Sequence, residues 1–203
     1  MKSLFSFDLI EVTGVIFTLI FLFLEIRGKW MMWVVGIASA MFYVYINMEQ
    51  RLYAMMGLSV YNAFICGYGL YCWRFMRRGK ETGLRFSYVT ANLCRYLWMA
   101  GISIYFFSGL VILLFTDIES PLSSIGALFS FVLDSLIMTL SIVATWMAAR
   151  KLVESWFLWM VVNPCTIAIY LYKGMMPSVL LYVVYSVFSV LGYIQWKKMA
   201  AAQ

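Results

Sequence analysis

Asp134 is the residue that points most clearly to chemistry, because it is an acid inside a long apolar stretch. Twelve uncharged residues precede it and fifteen follow it. A lone carboxylate in such a stretch is costly unless it is paired or hydrated, so it marks a functional or a structural site. It could anchor a substrate or offset a cation, or it could be a carboxyl group bonded to neighbouring Ser or Tyr hydroxyls. Glu11 or Asp8 is its counterpart near the N-terminus, depending on loop length.

Asn163 and Pro164 form a second polar feature, at the centre of another apolar stretch. Proline lacks the backbone N–H group and clashes with the preceding turn, so it predicts a helix kink with freed carbonyl groups. The adjacent amide could pair with an amide of a ligand through both a donor and an acceptor. Trp159 lies one helical turn earlier on the same face. Packing alone is the alternative explanation of the proline.

Amide, phenol and indole side chains in four helices, with one acid, make up the predicted substrate-binding set. Such groups would suit a flat polar ring, and a cationic ring in particular, through stacking and hydrogen bonding. The other tryptophans, at the ends of apolar stretches, are expected to be interfacial anchors: Trp30, Trp73, Trp156 and Trp196. The predicted site residues are Trp33, Asn47, Gln50, Asn62, Asp134, Trp159, Asn163 and Tyr185.

The sequence gives little support for a metal site or for a nucleophilic catalytic site. The chain contains no His, and its four Cys residues lie in or beside apolar runs without a CxxC pair. Neither a zinc site nor a Ser–His pair can therefore be assembled. We predict no cofactor, no metal site and no enzymatic activity.

Composition places these residues in a membrane. Of 203 residues, 65% are hydrophobic and 12% charged, and the mean hydropathy is +0.90. This composition cannot supply a polar surface for a soluble domain. Seven stretches are long and apolar enough to predict transmembrane helices, or six if the first lies in the interface. They are residues 12–24 (beginning near Asp8), 30–48, 52–73, 96–116, 122–149, 155–172 and 174–196.

The basic residues predict the orientation. Twelve of the fifteen Lys and Arg residues fall on the side opposite the N-terminus. Basic loops remain in the cytoplasm, so the N-terminus is expected outside and the C-terminus in the cytoplasm of a multi-pass protein of the cell inner membrane. The run Arg74-Phe75-Met76-Arg77-Arg78 belongs to this pattern, and no nucleic acid partner is predicted.

Two parts of the chain resemble each other. A WxxW motif at Trp30 recurs 126 residues later at Trp156, which makes Trp33 the counterpart of Trp159, and a GxxxW ending at Trp73 recurs 123 residues later. The pattern predicts an all-α membrane protein with two parallel three-helix bundles joined by a linker helix (3+1+3). Repeat 1 covers about residues 8–75, the linker about 88–117 and repeat 2 about 121–197. Transporters bind substrate between such repeats and expose it to each side in turn.

The chain resembles the PnuC-type nicotinamide riboside transporters, a SWEET-like family, from Asp8 to Trp196 except in helix 4. The resemblance rests on motifs in both halves: Asp134-Ser135, residues 140–144, Arg150-Lys151, Glu154, Trp156, Trp159 and Asn163, and then Glu11 with Gly14, Leu52-Tyr53-Ala54 and Tyr68-Gly69-x-Tyr71-x-Trp73. It implies substrate bound between two three-helix bundles and a homotrimer in the lipid membrane. It also implies uptake of nicotinamide riboside, a vitamin B3 precursor, by facilitated diffusion with trapping by phosphorylation.

One position departs from the family pattern. Ser59 stands where the family usually has Gln in helix 3, so Asn47, Gln50 or Asn62 would supply the missing contacts. Other B-vitamin precursors, such as thiamine or riboflavin, remain alternative substrates. A seven-helix sensor or receptor is the alternative function. No paired acidic relay is visible in the sequence, so ion coupling through Asp134 or Glu11 is not expected.

Overall fold

The computed structural model describes residues 9–49, 53–78, 81–82, 84–115, 125–172 and 176–202. Within these ranges seven helices follow one another, and the predicted helix count is confirmed. They are α1 (Leu9–Ile26), α2 (Met31–Glu49), α3 (Tyr53–Arg74), α4 (Ala91–Phe115), α5 (Ile125–Ala149), α6 (Ser155–Tyr172) and α7 (Met176–Ala201). Two two-residue strands, β1 (Arg77–Arg78) and β2 (Glu81–Thr82), pair antiparallel between α3 and α4.

Hydropathy identifies candidate membrane spans among the described helices. Within the described ranges, four segments are long and apolar enough to cross a membrane: Ala91–Leu114, Ile125–Ala149, Ser155–Tyr172 and Val179–Ala201. The apolar part of α2 is shorter, Met31–Tyr45. The predicted starts and ends agree with the helices to within about five residues, and α6 agrees at both ends.

The chain divides into two compact units, Met1–Leu84 and Arg85–Gln203. In the first unit α2 packs against both α1 and α3, and in the second unit α4, α5, α6 and α7 pack in sequence order. Consecutive antiparallel packing of this kind follows from short connections between helices.

The helices α1–α3 and α5–α7 form two triplets, and a left-handed turn ends the first helix of each triplet in the same way. Gly28 (φ 64°) follows α1 and Lys151 (φ 54°) follows α5, 123 residues later. Gly28 N–H donates to the Glu25 carbonyl at 2.9 Å, and Lys151 N–H donates to the Ala148 carbonyl at 3.0 Å. The next residue in each turn donates to the carbonyl five residues before it, which completes a Schellman motif. The two turns are therefore equivalent at an offset of 123 residues.

Tryptophan–glycine packing repeats at the same offset. A Cβ atom built on Gly69 would lie 2.5 Å from the Trp33 ring, and one built on Gly192 would lie 2.5 Å from the Trp156 ring. Trp33 also makes an edge-on contact with Trp73 at 5.8 Å between centroids, as Trp156 does with Trp196 at 5.4 Å. The tryptophan of the GxxxW motif thus completes the same cluster in both units.

These contacts correct two expectations. Trp33 corresponds to Trp156 and not to Trp159, because the glycine that receives the indole lies on the next helix, where local WxxW spacing cannot show it. Trp73, Trp156 and Trp196 are 5%, 1% and 0% exposed, so they are core residues of their units and the prediction of interfacial anchors was wrong for them. Trp30, at 41% exposed, is the exposed one of the four, and the Arg74 guanidinium lies 5.4 Å from its ring centroid.

Hydroxyl groups join α4 to α5 in the second unit. The Ser108 hydroxyl lies 3.1 Å from the Thr139 hydroxyl and donates to the Ser135 carbonyl at 3.2 Å. Ahead of α4, the Ser87 N–H donates to the Lys151 carbonyl, and the Ser87 carbonyl accepts from Val153 N–H, both at 3.1 Å. The α4 helix and the segment before it are therefore fixed to α5 and to the α5–α6 turn.

Candidate functional site

One face of α6 collects the polar and aromatic residues of the candidate site. Trp159, Asn163, Thr166 and Tyr170 follow at spacings of four, three and four, which places them along a single helix face. Pro164 lies inside α6 without ending it. Because proline offers no N–H group, the backbone in this turn has one hydrogen bond fewer than a regular helix. The predicted kink at Pro164 stays a prediction.

Burial makes Trp159 and Asn163 the strongest candidates for substrate contact on this face. Asn163 is 4% exposed. The indole Nε1 of Trp159 is buried and has no hydrogen-bond partner within the described ranges. The same is true of Trp33 and Trp156, but the rings of those two are enclosed in the tryptophan–glycine packing of their units. A buried donor left unpaired costs about 1–3 kcal/mol, so such groups are rare unless a ligand or water satisfies them. Beside a buried amide, this donor is what a site for a polar ring would present.

A row of tyrosines extends this face from α6 to α7. Tyr170 contacts Tyr182 at 5.5 Å between ring centroids, and Tyr182 contacts Tyr185 at 5.3 Å. Tyr185 is thereby connected to the α6 face, as expected for a member of the site. Tyr170 and Tyr182 were not in the predicted set, although both lie in the aromatic-rich ends of their helices. Their contacts arise from pairing two helices, which spacing within one helix does not reveal.

Asp134 lies in α5, the helix that packs against α6. Its side chain is half-buried and interacts with another part of the protein. That partner lowers the cost of placing an acid in an apolar helix. The carboxyl group of Asp134 is therefore not isolated within α5.

The first unit holds the other predicted residues. Asn62 is exposed on α3, and Asn47 lies in α2, where only its backbone is described. Gln50 lies outside the described residues. Trp33 is 1% exposed and enclosed by Gly69 and Trp73. This burial favours a packing role over substrate contact for Trp33.

Glu25 is a buried acid that was not among the predicted site residues. It is 6% exposed, near the end of α1, and engaged with another group. In the sequence it follows an apolar run and precedes Arg27 by two residues, a pattern that does not reveal burial in the last helical turn. Across the described ranges, no three His, Cys, Asp or Glu residues cluster in a way that could hold a metal ion.

Comparison with known proteins agrees with the fold and covers nearly the whole chain. The family described as "Nicotinamide mononucleotide transporter" matches residues 8–198. The chain is 24% identical to the "Nicotinamide riboside transporter PnuC" of Escherichia coli (strain K12), over 92% of this chain and 84% of that protein. The same figures hold for the protein of that name from Shigella flexneri.

A solved structure shares the fold. The "Crystal structure of the Vitamin B3 transporter PnuC" superposes with a TM-score of 0.67 at 22% identity, over 95% of this chain and 82% of that one. The relatives are transporters and not enzymes. The helices, the family match and the shared fold together show that the chain belongs to the nicotinamide mononucleotide transporter family of membrane transporters.

Proposed function

We propose that the protein is a facilitative transporter that imports nicotinamide riboside across the cytoplasmic membrane by alternating access, without ion coupling. The observation that carries the proposal is the unpartnered indole donor of Trp159 on the same α6 face as the buried amide of Asn163. The relatives named for nicotinamide riboside support the choice of substrate.

The chemistry of the α6 face fits that substrate. Nicotinamide riboside has a cationic aromatic ring, a carboxamide and ribose hydroxyls. Tyr182 and Tyr185 offer aromatic faces to a cationic ring. The Asn163 amide can pair with the carboxamide through a donor and an acceptor, while the Trp159 indole can donate to an oxygen of the substrate. Asp134 supplies a negative charge that complements the ring.

The same chemistry argues against the mononucleotide as the preferred substrate. A phosphate group requires cationic donors such as Arg or Lys. The described stretch of α6 from Trp156 to Tyr172 contains neither residue, and the neighbouring helix α5 contributes the acid Asp134. A negative phosphate next to that carboxylate is unfavourable, so the riboside is the better match.

The remaining features of the proposal come from the sequence. The bias of basic residues supports an N-terminus outside and a cytoplasmic C-terminus in the inner membrane. Asn47, Gln50 and Asn62 are proposed as contacts from the first repeat, in the two-bundle arrangement with a linker helix. A homotrimer, and retention of the substrate by phosphorylation inside the cell, follow from the family resemblance. Coupling to ions has no supporting pair of acids, so a downhill carrier is the simpler mechanism.

Uptake by proteoliposomes tests the proposal. Purified protein should accumulate labelled nicotinamide riboside only to the external concentration, and a proton or sodium gradient should leave that plateau unchanged. Nicotinamide mononucleotide, thiamine and riboflavin should compete weakly. A plateau raised by an ion gradient would contradict uncoupled transport, and preference for another vitamin would reassign the substrate. No uptake of any of these solutes would favour the seven-helix sensor.

A further inference from the structure

A long apolar groove lies along α4 and α5 in the second unit, away from the α6 face. Its volume is about 620 Å³, and it ends at the α5–α6 turn and the start of α6. None of the eight predicted substrate-binding residues lines it. Trp98 and Phe106, at its rim, are each 71% exposed. An open apolar groove in a membrane protein is a surface for something other than a polar vitamin.

The groove has the dimensions of a lipid chain in one leaflet. On α4 its lining runs from Cys94 to Phe106, and on α5 from Leu136 to Met147. At a rise of 1.5 Å per residue these stretches are about 17–18 Å long. One leaflet contributes about 15 Å to the hydrocarbon core of a bilayer. Gly101 leaves the groove open at its middle, because a Cβ atom there would have no neighbour within 4 Å.

A carboxylate stands at one end of this apolar surface. Glu154 lines the groove, and its Oε1 accepts a hydrogen bond from Val89 N–H at 3.0 Å. Its Oε2 is buried and has no hydrogen-bond partner in the part of the chain that the structure describes. A buried carboxylate oxygen needs a donor, and a cationic donor gives the strongest bond. The groove therefore pairs an apolar channel with an anionic end.

A basic residue stands beside the same end. Arg95 follows Cys94, a lining residue, and its exposed guanidinium donates to the Asn92 side-chain oxygen Oδ1. An amphiphile with a donor ammonium group and a phosphate would complement both charges. Choline lacks an N–H donor, and glycerol head groups lack a positive charge. Charge complementarity thus selects a primary-ammonium head group.

We propose that this α4–α5 groove is a binding site for phosphatidylethanolamine. One acyl chain lies along Leu97, Gly101 and Tyr105. The ammonium group donates to Glu154 Oε2, and the phosphate lies toward Arg95. A bound lipid of this kind would fill the surface between α4 and α5 and stabilise the α4 connection independently of substrate.

Fluorescence quenching by lipids with brominated acyl chains tests the site. Delipidated full-length protein in detergent is titrated with brominated phosphatidylethanolamine and, separately, with brominated phosphatidylcholine. We expect saturable quenching that is stronger for phosphatidylethanolamine, and loss of that component in Trp98→Phe. Trp30→Phe is the matched control, because Trp30 is also exposed but lies in the first unit.

Two further variants distinguish the binding of the acyl chain from the binding of the lipid head group. Gly101→Leu should abolish saturable quenching by both lipids, since the added side chain occupies the groove. Glu154→Gln keeps the acceptor for Val89 N–H and should weaken phosphatidylethanolamine binding about tenfold, the effect of losing one charge-assisted hydrogen bond. Phosphatidylcholine binding should not change in this variant.

Several results would overturn the proposal. Unaltered quenching in Trp98→Phe or Gly101→Leu would show that the lipid binds elsewhere. Equal affinity for the two lipids in the unmodified protein would remove the role of Glu154. Quenching that disappears as the protein associates with further copies would assign the groove to a protein interface. Nicotinamide riboside uptake does not enter any of these readouts, so the outcome is independent of the proposed transport.

Discussion

The two triplets of helices, α1–α3 and α5–α7, share a packing scheme but differ in their polar residues. Gly28 and Lys151 end equivalent helices, and Gly69 and Gly192 receive equivalent indoles. At the same offset of 123 residues, Asn163 corresponds to Ala40. The duplicated part is thus the scaffold, and the chemistry differs between the two halves.

Position 36 shows why the halves cannot carry the same side chains. At this offset Gly36 corresponds to Trp159. A Cβ atom on Gly36 would lie 2.7 Å from Cys66 Sγ and 3.0 Å from the Phe21 ring. Close packing around Gly36 therefore excludes an indole from this position of the first unit. In the second unit the same position is open enough to hold Trp159 with an unpaired donor.

The positions of the predicted site residues follow the same division. Asn47 and Asn62 in the first triplet correspond to Tyr170 and Tyr185 in the second, and Glu11 corresponds to Asp134. The first half thus offers amides where the second offers phenols. Asp8, the other candidate for the counterpart of Asp134, lies outside the described residues.

The largest expected effect tests the shared scaffold. Trp33→Ala and Trp156→Ala should each lower the free energy of unfolding by about 3–5 kcal/mol, the usual cost of removing a buried indole. Thermal unfolding followed by size-exclusion chromatography measures both. Trp98→Ala, at an exposed position, should change stability by less than about 0.5 kcal/mol.

Substrate affinity separates packing from binding at Trp33. The milder Trp33→Phe variant should bind nicotinamide riboside as the unmodified protein does, because Trp33 is enclosed by its own unit. An affinity loss in folded Trp33→Phe protein would return this residue to the binding set.

A smaller effect is expected at the glycines that receive the indoles. Gly69→Ala and Gly192→Ala should each cost about 1–3 kcal/mol, because the new methyl group would overlap a tryptophan ring. Gly67→Ala is the matched control on α3, where a Cβ atom meets nothing within 4 Å. It should be neutral or stabilising, since alanine favours helices. Equal tolerance at all three positions would mean that the indole packing is not a constraint.

The smallest expected effect concerns the two left-handed turns. Lys151→Gly gives the second turn the residue type of the first and should raise stability by at most about 1 kcal/mol, the cost of a left-handed side-chain residue. Gly28→Ala should lower stability by a similar amount. Thermal unfolding measures the stability change of both variants. A stabilised Gly28→Ala protein would contradict the equivalence of the two turns.

The contribution of Lys151 to the stability of the fold should depend on pH, which gives a separate test. Burial lowers the pKa of the Lys151 ammonium below its ordinary value of 10.5. The unfolded chain therefore holds this proton more tightly, and stability from this residue rises as pH increases from the lowered pKa to 10.5. Lys151→Gly should remove that rise in unfolding temperature. An unchanged slope would show that Lys151 is not its source.

The sequence predicted the helices well, and its site residues stay predictions. Long apolar stretches predicted all seven helices, because each is an apolar run bounded by charged or turn-forming residues. The GxxxW offset of 123 matches the structural equivalence, whereas the WxxW offset of 126 does not. Tryptophan spacing within a helix carries no information about the glycine across from it.

Contacts between helices account for what was missed. Tyr170 and Tyr182 join the candidate site only when α6 packs on α7. In the sequence Glu154 is one acid in a charged turn. The structure shows that its Oε1 accepts a hydrogen bond from Val89, just before α4, and that its Oε2 is buried. Such features depend on which faces meet, and the apolar pattern of a membrane helix is nearly uniform around its axis.

The central claim is that the α6 face of the second unit recognises the substrate, and affinity measurements test it most directly. Binding of nicotinamide riboside to purified protein should weaken at least about tenfold in Trp159→Ala and in Asn163→Ala, as expected for losing a buried hydrogen-bonding group. Thermal unfolding would verify that both variants remain folded. Unchanged affinity in both folded variants would contradict the account.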